Sequence, residues 1–211
     1  MGRVARACAR AVRGRDSAAP RRSGPATAAA DPDGERRRRS GADCAEAHRD
    51  GAKWFSRAAE RYRESWEHAP PGSWGRPIGA IKSLILAGDW DGAAAAARWA
   101  IESGAAESDS PIGRYAAALA YGVLGDWDEM RLHADYARTH EGFPNEVADA
   151  LAYVAAEDVA GYVEAVEDVL ESFAARDSYL EDVPVADTVL VLQALAARRG
   201  MAAELESELL P

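Results

Sequence analysis

Four residues, Gly-Asp-Trp-Asp, occur twice in this chain, at 88–91 and again at 125–128, an offset of 37 residues. The order of residue types limits what the backbone can do there. Glycine adopts a positive φ at little cost, so a helix can stop at Gly88 and at Gly125. Aspartate next in line accepts a hydrogen bond from a free backbone N–H, so a new helix can start at Asp89 and Asp126. In the second copy Glu129 follows Asp126 by three residues, the spacing of a capping box. Two helices joined with no intervening loop must turn back on each other. The tryptophan after the cap, Trp90 or Trp127, is predicted to wedge between them.

The residues behind each tryptophan fit this reading. Ala93, Ala97 and Ala100 in the first copy, and Met130, Ala134 and Ala137 in the second, recur at helical steps and share one face. A degraded third copy spans 151–173, where Asp158 keeps the cap and Val159, Tyr162, Val166 and Val169 keep the apolar pattern. Repeats of this length are the mark of helical arrays. The turn followed by stepped alanines resembles the middle of the tetratricopeptide repeat over residues 77 to about 174. The Trp-x-x-Leu-Gly signature of that repeat's first helix is missing, and the offsets vary. The expected fold is therefore all-α, a TPR-like array of antiparallel helix pairs.

Other signals place the remaining helices. Ser110-Pro111 reads as a cap followed by proline in the first turn, and Phe143-Pro144-Asn145-Glu146 opens another helix. Residues 185–199 are predicted to form a helix that is apolar almost all round and so deeply packed, with Gly200 able to cap its end. Residues 44–69 read as one long helix stopped by Pro70-Pro71-Gly72. On it Trp54, Ala58, Tyr62 and Trp66 make a stripe that suits core packing better than a ligand platform.

Charge divides the chain. Residues 1–43 hold 11 of its 25 basic and 5 of its 35 acidic residues, which leaves 14 basic and 30 acidic in the rest. The tail is thus +6 and the body −16. Rich in Arg, Gly, Pro and Ser, residues 1–43 are expected to be a disordered basic tail, or upstream sequence read from a start codon placed too early, rather than a nucleic-acid arm. Residues 44–211 are expected to form one all-helical domain. A −16 body repels nucleic acid and anionic membrane and favours a basic partner. Cys8 and Cys44 have neither disulfide-framework nor zinc spacing. No apolar run has the length of a membrane span, and no secretory or twin-arginine signal is read at the start. The expected location is the cytoplasm.

Candidate chemistry is sparse. Glu129, His133 and His140 could share a helical face as metal ligands, but His140 falls where the helix should end. They read better as scattered surface residues. Asp89, Asp91, Asp126 and Asp128 could act as acid–base carboxylates, yet capping and the helix dipole already account for them. Glu164, Glu167, Asp168 and Glu171 form a charged helix face, ordinarily solvated and also suited to a basic partner. No catalytic, metal or cofactor residues are assigned, and no partner-contacting residue either.

Residues 178–205, with 76–90 and 108–120, resemble the immunity protein 49 family of bacterial polymorphic toxin systems. The likeness covers about residues 50–211 and rests on whole segments, not on a catalytic motif. It implies a cytoplasmic antidote that binds and blocks a cognate toxin, and the body's acidity suits a basic one. The alternative is a TPR-like adaptor that docks peptides in its groove; an enzyme is the least expected reading.

Overall fold

The computed structural model describes residues 32–179 and 184–211. Among them are eight helices: α1 (Pro32–Trp66), α2 (Gly75–Ala87), α3 (Trp90–Glu102), α4 (Pro111–Leu124), α5 (Trp127–Arg138), α6 (Asn145–Ala156), α7 (Val159–Ala174) and α8 (Asp187–Arg198). No strand occurs among the described residues. The chain divides into two compact units, and residues 52–210 form the larger one. The first part of α1, up to Gly51, belongs to the smaller unit. Helix α1 starts at Pro32, within the segment expected to be a tail, and stops at Trp66. The tail reading for residues 1–31, with Cys8, lies outside the described residues.

The repeated turn works as its residue types dictate. Gly88 and Gly125 stand at φ +74° and +81°. The N–H of Asp89 reaches back to the Leu84 carbonyl, and the N–H of Asp126 to that of Tyr121, each at 3.0 Å. The carboxylates then cap the next helix, accepting from Gly92 N at 2.9 Å and Glu129 N at 3.4 Å. One expectation needs correction. Glu129 does not close a capping box, because the Asp126 N–H is already used and the Glu129 carboxylate turns toward His133. In the third copy Asp158 caps Gly161 N at 3.0 Å, but the glycine is replaced by Glu157, which holds φ +57°.

Alternate helices lie in two layers. Each helix from α2 to α7 packs on the next, while α2 also meets α4 and α4 meets α6. So α2, α4 and α6 make one layer, and α3, α5 and α7 the other. Between them Ala93, Ala97, Ala100, Met130, Ala134 and Ala137 are buried, as the spacing predicts. Alanine contacts let helix backbones approach closely. Gly122 of α4 goes further: a Cβ there would stand 2.9 Å from the Met130 sulfur of α5. In the third copy Tyr162, Val166 and Val169 are fully buried, whereas Val159 is half exposed. The aromatic stripe of α1 splits likewise. Tyr62 and Trp66 pack inward, with Trp66 against Trp74 and Trp99, but Trp54 is 67% exposed.

Helix α8 departs from the alternation. It packs on α2, α6 and α7. Val189, Val191, Leu192, Leu195 and Ala196 are all fully buried, as expected of a helix apolar almost all round, but Val185 precedes the helix and is 38% exposed. Its Leu195 also comes against Gly122 of α4. Helix α8 therefore lies across the layer of first helices, and its apolar surface completes their core. The segment after Gly200 runs back along it. Gln193 donates to the Ala203 carbonyl at 2.6 Å and accepts from the Ala203 N–H at 3.2 Å, while the Ala186 N–H donates to the Leu209 carbonyl at 3.1 Å.

Candidate functional site

The face formed by α2, α4 and α6 is where a helical array of this kind has room for an extended peptide. Here α8 fills it, and polar anchors fix α8 at both ends. At its start Asp187 pairs with Lys82 of α2 at 2.6 Å, and Thr188 accepts from the same ammonium at 3.0 Å. Asp187 also faces the buried Tyr115 of α4, whose hydroxyl is pushed up in pKa by burial first and by that carboxylate second. In the middle the Tyr162 hydroxyl of α7 donates to Gln193 at 2.7 Å.

At the other end two consecutive arginines hold two consecutive repeats. Arg198 lies over the Trp90 ring, 4.5 Å from its centre, and donates to the Val123 carbonyl at 2.6 Å. Arg199 lies over Trp127, again at 4.5 Å, and donates to the carbonyls of Val154 and Ala155. Each guanidinium thus stacks on the tryptophan of one repeat and bonds carbonyls that end the first helix of the next. Helix-terminal carbonyls lack intrahelical partners, and a planar cation with several donors serves both contacts at once. The tryptophans are half-buried against the core, with one face roofed by these arginines. Glu157 completes the set: its carboxylate meets Arg199 at 2.6 Å. The pair offsets part of the backbone cost of the left-handed conformation there.

With that face filled, charged chemistry is left to the outer helices. Glu164, Glu167, Asp168 and Glu171 are all exposed on α7, which carries no basic residue. Helix α5 differs, since Arg138 pairs with Asp135 at 2.8 Å and with Asp149 at 2.7 Å. The Asp149 hydrogen bond raises the Arg138 pKa. Asp91 and Asp128 are exposed in the first turns of α3 and α5. Asp89 and Asp126 are caps.

The histidine reading changes most. His133 is 3% exposed and not a surface residue. Its ring stacks on Tyr121 of α4 at 5.3 Å, and its Nδ1 lies 3.2 Å from an Arg114 nitrogen. Glu129 stands 3.6 Å from Nε2. His140 is set apart, its Nδ1 3.0 Å from the Tyr136 carbonyl. Among the described residues, no group of three or more His, Cys, Asp or Glu side chains could hold a metal ion. Nor is any helix there long and apolar enough to cross a membrane. Sequence spacing placed Glu129 and His133 one turn apart but gave no hint of Arg114, which comes from the preceding helix.

Compared with known proteins, the chain matches no family model, no curated protein and no solved structure.

Proposed function

We propose that this protein is a cytoplasmic immunity protein, which binds a basic toxin of a bacterial polymorphic toxin system and blocks it. The observation that carries the reading is the outer face of α7. Its four carboxylates are exposed, and Glu164 and Glu171 each lie three and four residues from the adjacent pair Glu167 and Asp168, with no base between them. Like charges at that spacing destabilise a helix. The fold gains nothing from them, whereas a cationic partner would. The −16 body adds a long-range field of the same sign, which speeds encounter with such a partner. The segments resembling the immunity protein 49 family lie in the same helical body. The adaptor reading has less support, because α8 occupies the face on which a peptide would dock.

Co-expression with a toxin encoded beside this gene tests the proposal. Protection of the host cell is expected, together with a complex whose affinity falls at least about tenfold between 50 and 500 mM salt. Survival no better than with toxin alone, despite folded protein in the cell, would overturn the immunity reading. Binding that ignores salt would overturn the electrostatic part.

A further inference from the structure

Arg114 holds the loop between α3 and α4. Its Nε donates to the Ser108 carbonyl at 2.6 Å, and its Nη1 donates to the Ala106 carbonyl. The same Nη1 lies 3.2 Å from His133 Nδ1, and the guanidinium sits 4.3 Å from the centre of the Tyr136 ring. A guanidinium can only donate, so Nδ1 must be the acceptor and carry no proton. The proton of the neutral ring is then on Nε2. That atom is buried without a hydrogen-bond partner, and the Glu129 carboxylate at 3.6 Å is too far to accept a good one.

Adding a second proton reverses the contact. Nδ1–H would point at an N–H of Arg114, donor against donor and cation against cation. The ring cannot simply be hydrated in place, since it is buried against Tyr121. It can move toward Glu129, or Arg114 can move away. Either way Arg114 loses one of the contacts that set its position over the loop. The charged and titratable groups around the ring are Arg114 and Tyr121 from α4, Glu129 and Tyr136 from α5, and Glu107 from the loop itself. From α6, Asp149 is engaged by Arg138.

We propose that His133 and Arg114 form an acid-sensitive latch on the loop 103–110: the neutral imidazole keeps Arg114 seated, and protonation releases the loop. The inference stands apart from toxin binding. Burial, then the Arg114 charge, holds the His133 pKa below its ordinary value, against the weaker upward pull of Glu129 and Glu107. The unfolded chain therefore binds more protons just below the ordinary histidine value of about 6.5. Stability is complete above that value and declines as pH falls through it, levelling off once His133 in the fold is itself protonated.

Two measurements on the full chain decide the matter. One follows the His133 ring by NMR across pH 4.5–8, assigned against His133→Asn, which keeps an acceptor oxygen for Arg114. The other measures protection from amide exchange at Ala105, Ser108 and Ser110, at pH 7.5 and below the His133 midpoint. The latch predicts a midpoint below the ordinary histidine range, and loop protection about tenfold lower in acid for wild type but nearly unchanged in His133→Asn. A midpoint at or above about 6.5 would overturn the proposal without reference to any variant. So would an equal loss of protection in wild type and His133→Asn.

Discussion

Asp89, Asp126 and Asp158 perform the same task with unequal geometry. The first and third accept from the helix N–H groups at 2.9 and 3.0 Å, the second at 3.4 Å. A good aspartate cap contributes about 1 kcal/mol, and a stretched one less. Alanine at 89 or 158 should therefore cost about 1 kcal/mol in urea unfolding, and alanine at 126 clearly less. Equal losses at all three would mean that distance does not set the value of the cap. Glu157 offers a sharper comparison. It combines a positive φ with an ion pair to Arg199 at 2.6 Å. Glu157→Ala loses the pair and keeps the backbone cost, whereas Glu157→Gly loses the pair and removes that cost. The glycine variant should be the more stable of the two by roughly 1 kcal/mol, read from thermal melts of both. These caps were legible because each rests on residues within four positions of one another. The His133 environment was not, since Arg114 and Tyr121 reach it from another helix and local spacing carries no trace of them.

Helix α7 and helix α8 illustrate the same limit in opposite ways. The four carboxylates of α7 are a surface pattern, and their exposure follows directly from helical periodicity once Tyr162, Val166 and Val169 face inward. Replacing the last of them tests whether the pattern serves the fold. Lysine at 171 would follow Glu167 by four residues and Asp168 by three, near the C-terminal end of the helix, where a cation is favoured. Glu171→Lys should raise stability by about 0.5 kcal/mol or more and weaken the complex with a basic partner. A stability gain with unchanged binding would remove α7 from the proposed interface. For α8 the sequence indicated deep burial from its all-round apolar character, but not what would bury it. That depends on where the layer of first helices leaves room. The consecutive arginines at 198 and 199 read locally as an ordinary basic helix end. Their role emerges only when Trp90 and Trp127 are brought beneath them.

At the scale of the whole 52–210 unit, α8 changes the kind of molecule the repeats make. In a simple array each repeat touches only its neighbours, so repeats can fray and unfold piecemeal. Here one helix and its C-cap Arg199 bond to α2 through Lys82, to α4 through Val123, to α6 through Val154 and to α7 through Tyr162. Contacts that distant in sequence tie the three helix pairs into one cooperative unit, at the expense of the face an open array keeps for ligands. Two variants separate packing from linkage. Leu192→Ala removes fully buried side-chain volume and should cost roughly 2–5 kcal/mol while leaving a single transition. A chain ending at residue 179 loses the linkage itself and exposes the apolar surfaces of α2, α4 and α6. Its unfolding, followed by far-UV circular dichroism and by tryptophan fluorescence, should give a broad transition in which the two signals no longer coincide. If the shortened chain still unfolds sharply, with both signals superimposed, the helix pairs supply their own cooperativity and α8 is only a cover.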